Sequence, residues 1–263
     1  MKRLLLAVVL LPPLLAAGQE IVTIPTRPGV TQSFFVTNMG GRKAEAVALV
    51  YPGGWGTLNL RFENGKPKFA GGNFLIRTRT DFIRNGIWPV LVDVPSDEAT
   101  GVPDNYRSGE KQVADTRAVL AEVRKRAPGL PIFILTTSRS TLSGAQLGRS
   151  LGPDEVAGVV LTSSMIVPGR SWQSLASFDF KSVKVPLLFV QHRADGCQAT
   201  PYPALAKAAE AHMLKALARG DAKSADSWSQ VYCRHSREAL QLMQFCRVLL
   251  LDGRISGAVL SEG

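Results

Sequence analysis

Histidine and cysteine are scarce in this chain of 263 residues, with three of each. The histidines (His192, His212 and His235) form neither an HExxH motif nor a ligand pair on one helix, and the cysteines (Cys197, Cys233 and Cys246) contain no CxxC. The common zinc signatures are therefore excluded, and neither a metal nor another cofactor is expected. An odd cysteine count leaves one thiol over in an oxidising compartment.

Internal repeats and low-complexity tracts are also missing, as is an apolar run of the roughly 20 residues that a membrane span requires. The run from Leu4 to Ala17 has 14 residues, is interrupted by Pro12-Pro13 and follows the basic pair Lys2-Arg3. Ala16 and Gly18 put small side chains at the −3 and −1 positions of a cut before Gln19. These features read as a signal peptide over residues 1–18, with an uncleaved anchor as the alternative. The mature chain, 19–263, is expected to be periplasmic or secreted, with no stable membrane anchor.

The formal charge is +10, yet no run of five basic residues exists and no aromatics interleave with basic ones on a strand. Nucleic acid is therefore not the expected partner, and the scattered charge reads as a solvated surface. The expected partner is a small molecule; oligomeric state is not legible.

What is present is a strand–helix alternation. Ile21–Ile24, Ser33–Thr37, Ala44–Tyr51, Trp88–Val94, Ile132–Leu135, Val156–Thr162 and Val185–Gln191 read as strands. Helices are expected over Asn73–Arg84, Ser108–Arg126, Thr141–Leu151, Pro203–Arg219 and Arg237–Leu251, with a last strand at Trp228–Tyr232. Alternation at this spacing predicts βαβ crossovers and a mostly parallel sheet in one domain.

Three segments carry candidate chemistry. In Phe133–Gly148, FILTTSRSTLSGAQLG, a strand ends, Ser138 sits in a tight turn and a helix of small residues begins. A nucleophile elbow places its serine there, with the next backbone N–H, here that of Arg139, aimed at an oxyanion. The elbow pattern GxSxG is replaced by Thr136-Thr137-Ser138-Arg139-Ser140, and a helix N-cap is the competing reading. After the third strand, Tyr51-Pro52-Gly53-Gly54-Trp55-Gly56 can turn the N–H groups of Gly53, Gly54 and Trp55 inward as the second half of an oxyanion hole. Asp195 follows the strand Val185–Val190, where the acid of a triad belongs, although an Asp-Gly turn is common in any loop. The chain order Ser, Asp, His is met by Ser138, Asp195 and His235.

The stretches TIPTRPGVTQ, YPGGWGTLNLR, LVDVPSD, TSRSTLSGAQ and HRADGC resemble a group of exported bacterial α/β-hydrolases, from Ile21 to about Tyr202. That group reads GGDG in the oxyanion loop, GTSRGT at the elbow and HHRDDGC around the acid. The resemblance implies the α/β-hydrolase fold, with a mostly parallel central sheet and helices on both faces. It also implies Ser138 as nucleophile, Asp195 as acid and a Cys197–Cys233 disulfide. It names no substrate beyond an ester or related acyl compound. The group's late segment, CEALxxHGF, corresponds to REALQLMQF here, so Met243 stands where the histidine base is expected. His235, two residues after Cys233, is then the candidate base. Loss of the base gives the alternative function, a ligand-binding or vestigial relative.

Overall fold

The computed structural model describes residues 18–70, 72–191 and 195–208. Its central sheet grows from strands whose residues are nearly all apolar. β3 (Ala46–Tyr51), β7 (Ile132–Thr137) and β8 (Gly158–Thr162) are buried at every position, as parallel strands covered on both faces must be. Side chains alternate across the sheet with a period of two. Val47, Leu49, Ile132 and Ile134 face one core, while Ala48, Val50, Phe133 and Leu135 face the other.

Helices cover each face. α4 (Glu110–Arg126) and α5 (Thr141–Ser150) bring Val113, Leu120, Val123 and Leu147 to the first core. α1 (Phe74–Arg77) and α2 (Arg79–Arg84) bring Leu75, Ile76 and Phe82 to the second. One helix was expected over Asn73–Arg84. It is split at Thr78, whose own N–H still bonds the Phe74 carbonyl at 2.9 Å. Thr78 Oγ1 and Arg79 Nη1 donate to the next two carbonyls, those of Leu75 at 3.4 Å and Ile76 at 2.9 Å, and compete there with the helical ladder.

The seven-stranded order is β1 (Glu20–Arg27), β2 (Val30–Val36), β6 (Ile87–Pro95), β3, β7, β8, β9 (Leu187–Val190). From β6 to β9 all neighbours are parallel; β2 is antiparallel to both β1 and β6. The expected parallel sheet with helices on both faces is therefore present, with an antiparallel hairpin on one edge. A second, unexpected hairpin pairs β4 (Arg61–Glu63) with β5 (Lys66–Lys68) through Asn64-Gly65, both at positive φ. Residues 202–208 are helical, at the start of the helix expected from Pro203. The expected elements Trp228–Tyr232 and Arg237–Leu251 lie outside the described residues.

After β3 the chain crosses to β6 on one side, and β7 lies on the other. The strand order thus reverses between β3 and β7, and a crevice opens outside their carboxyl ends, where open α/β sheets bind ligands. The pairing ends at Tyr51 opposite Thr136, so the loops leaving the two strands emerge side by side.

A buried ion pair ties the edge hairpin to this frame. Asp115 of α4 is fully buried and accepts from Arg27 Nε at 2.8 Å, from Arg27 Nη2 at 3.0 Å and from the Tyr106 hydroxyl at 2.6 Å. Arg27 also grips both oxygens of Asp97, at 2.9 and 2.8 Å. The hydrogen bonds to Asp115 and then Asp97 push the Arg27 pKa up, and Arg27 in turn holds Asp97 below the usual carboxylate range. Asp115→Ala leaves a largely buried guanidinium and a phenol without their acceptor. We expect it to cost about 3–5 kcal/mol in urea unfolding; a loss below about 1 kcal/mol, the worth of an exposed pair, would contradict this account.

Candidate active site

β7 ends at Thr137, the chain turns through Ser138–Ser140, and α5 begins at Thr141. Ser138 has φ +51°, a left-handed conformation that costs a non-glycine residue roughly 1–2 kcal/mol. Such strain persists only where the surroundings over-determine it. Ser140 supplies much of that determination. Fully buried, its Oγ accepts from the Thr137 N–H at 2.8 Å and lies 2.8 Å from the Tyr51 carbonyl and 2.9 Å from the Thr137 carbonyl, either of which can take its proton. The hydroxyl that replaces an elbow glycine thus fastens the turn to the end of β3.

Thr136 replaces the other glycine. Its hydroxyl donates to the Val160 carbonyl at 3.1 Å, and its bulk is met by a glycine on α5. A Cβ on Gly144 would come within 2.6 Å of Thr136 Oγ1 and 2.5 Å of Leu161 Cδ2. Strand and helix still pass closely, with the missing side chain moved into the helix.

Gly53 lies directly against the turn. A Cβ there would sit 2.9 Å from the Thr137 carbonyl and 3.0 Å from Ser138 Cβ, so only glycine fits. The loop closes through Gly56 N–H to the Gly53 carbonyl at 3.2 Å. Arg107, the last residue of α3 (Asp104–Arg107), donates from Nη2 to the Gly54 carbonyl at 2.7 Å. It is 2% exposed, and burial lowers its pKa to about 10, which still leaves it charged at neutral pH. Pinning the Gly54 carbonyl also fixes the N–H of Trp55, which belongs to the same peptide plane. Among the described residues, the N–H groups of Gly53, Gly54 and Trp55 have no hydrogen-bond acceptor.

Trp55 is 59% exposed at the mouth of the crevice. Arg139 stacks on it, with Cζ 4.7 Å from the ring centroid, and donates from Nε to Asp104 Oδ1 at 2.6 Å. Asp104 Oδ2 accepts from the Gln173 N–H at 2.8 Å. The side chain of Arg139 is thereby held toward the loop.

Asp195 stands past β9. Its Oδ1 accepts from the Cys197 N–H at 3.0 Å; its Oδ2 accepts from Gln191 Nε2 at 2.8 Å and from Thr200 Oγ1 at 2.9 Å. A relay of bonds joins it to the turn. Thr141 Oγ1 donates to the Ser138 carbonyl at 2.7 Å and accepts from the Met165 N–H at 3.1 Å, while the neighbouring Ser164 N–H donates to Gln191 Oε1 at 3.0 Å.

No family model matches the chain, and no curated protein is similar to it. Solved structures are. A serine hydrolase without a lid from Xanthomonas campestris is 17% identical, covering 76% of this chain and 82% of its own, with a TM-score of 0.50. An esterase from Pyrococcus furiosus is 14% identical, covering 74% of this chain and 78% of its own, with a TM-score of 0.52. The fold is that of the α/β-hydrolases.

Within the α/β-hydrolase frame, the structure places Ser138, Arg139 and the Gly53–Trp55 loop together at one crevice, and Asp195 at the same edge of the sheet beyond β8. His235 and Cys233 lie outside the described residues. Cys197 is an exposed free thiol, so the structure describes no bridge to Cys233. The sequence reading missed Arg107 and Gln191, which act on the site through contacts that no local pattern announces. Removing the Ser140 hydroxyl tests how the turn is held. Ser140→Ala leaves the Thr137 N–H and the Tyr51 carbonyl short of a partner, and thermal and urea unfolding should show a loss of about 1–3 kcal/mol. Wild-type stability in this variant would mean that the staple carries nothing.

Proposed function

We propose that the chain is a serine hydrolase that cleaves small-molecule esters or related acyl bonds, with Ser138 as its nucleophile. The observation that carries this reading is the positive φ of Ser138 at the carboxyl end of β7, beside a glycine loop whose N–H groups have no acceptor among the described residues. A helix cap does not need a strained serine. The two structural neighbours are by name a serine hydrolase and an esterase, which agrees with the reading.

In the proposed reaction, Ser138 Oγ bonds to the acyl carbon while its proton passes to a general base. The carbonyl π pair moves onto oxygen, and the N–H groups of Arg139 and of the Gly53–Trp55 loop bind the charge. Collapse breaks the bond to the leaving alcohol, which takes the proton from the base. Water then repeats the sequence and releases the acid. By chain order His235 is the base and Asp195 orients it. The basic start and apolar run at the N-terminus support action outside the cytoplasm.

The second reading is a relative that binds ligand without turnover. It is favoured by Gln191 and Thr200, which both bond Asp195 Oδ2, and by Met243 at the position of the resembled group's histidine.

Labelling with a fluorophosphonate probe separates the two. The wild type should label, and Ser138→Ala and His235→Ala should each lose labelling and at least about 10³-fold in kcat/KM on p-nitrophenyl acetate. A folded wild type that takes no label would leave the binding reading. Labelling that survives in His235→Ala would remove that histidine from the mechanism.

A further inference from the structure

Asn73 caps the short helix α1 with its side-chain carbonyl: Oδ1 accepts from the Leu75 N–H at 3.1 Å. That bond fixes which way the amide faces. The other end, Nδ2, lies 3.4 Å from the point where a Gly53 Cβ would be, and the same point is 3.0 Å from Ser138 Cβ. That point is also 2.9 Å from the Thr137 carbonyl, so Nδ2 stands on the side of the glycine loop that packs against the Ser138 turn. Asn73 is half-buried, and among the described residues its Nδ2 donates to nothing. A cap requires only an acceptor oxygen, and serine, threonine or aspartate serve that role as well as asparagine. What asparagine adds is an N–H pair, oriented in advance and free.

We infer that Asn73 Nδ2 is a side-chain donor to the substrate's carbonyl oxygen, beside the backbone N–H groups of Arg139 and the Gly53–Trp55 loop. This rests on the serine-hydrolase reading above. The amide does no proton transfer. It meets the oxygen as that atom takes the carbonyl π pair, so its contribution grows from ground state to transition state and belongs in kcat. Because the cap bond already holds the side chain, little reorganisation accompanies the reaction.

The cap makes the test clean. Asn73→Ser and Asn73→Asp both keep an acceptor for the Leu75 N–H and both remove the donor. In the full mature chain, p-nitrophenyl acetate hydrolysis should fall about a hundredfold in kcat for Asn73→Ser, with KM little changed and the melting temperature kept. Asn73→Asp sets a negative charge beside the developing one and should fall further. Labelling by the fluorophosphonate should slow in the same order. Wild-type kcat in Asn73→Ser, or an activity loss matched by a fall in melting temperature in both variants, would overturn the assignment while leaving Ser138 as nucleophile. A wild type with neither turnover nor labelling would remove the hydrolase reading and this donor with it.

Discussion

At the carboxyl edge of the sheet, the Ser140 hydroxyl extends the contact between β3 and β7 past their last paired residues. It bonds the backbone of Thr137 and lies within hydrogen-bond distance of the Tyr51 carbonyl, the last residues of β7 and β3. The reversal of strand order opens the crevice at this point. The left-handed Ser138 lies between two of the bonded residues, and Gly53 lies against it with no room for a side chain. Loosening this contact lets the turn relax toward ordinary φ and carries the glycine loop with it. The strain at Ser138 is thus sustained by a buried polar bond whose worth is greatest away from water.

The same logic extends outward in two directions. Toward β9, Thr141, Met165, Ser164 and Gln191 link the Ser138 turn to Asp195 through side-chain and backbone bonds. Toward the mouth, Arg107 holds the Gly54 carbonyl, and Arg139 lies between Trp55 and Asp104. α3, which carries Arg107 and Asp104, also carries Tyr106, and Tyr106 is bonded to Asp115 at the Arg27 pair. The edge hairpin and the glycine loop are therefore mechanically connected through one helical turn.

Much of this frame was legible in the sequence. Buried strands such as Ala46–Tyr51 announce themselves by continuous apolar character, and α4 does so by its spacing of Val113, Thr116, Leu120 and Val123. The turn at Ser138 and the glycines after β3 were visible as local chemistry. The β4–β5 hairpin is signalled by Asn64-Gly65, but its strands have three residues each, all exposed except Pro67, too few for a periodic pattern. The roles of Arg107 and Gln191 depend on partners 53 and 27 positions away in the chain, and the approach of Asn73 to Gly53 likewise has no local sign, although its helix cap does. The split at Thr78 turns on a side-chain bond competing with the helix, which periodicity cannot weigh.

The pairing of Thr136 with Gly144 bears on how such sites drift. Where strand and helix cross, the space is shared by three positions, Thr136, Gly144 and Leu161 of the next strand. A threonine in the strand is admissible once the helix gives up its side chain, and a glycine in the strand lets the helix carry one only if Leu161 also yields. The three positions should therefore exchange bulk in concert among related chains. A search keyed to glycines at fixed offsets from the serine passes over every member that has made the exchange, whereas one keyed to summed volume keeps it.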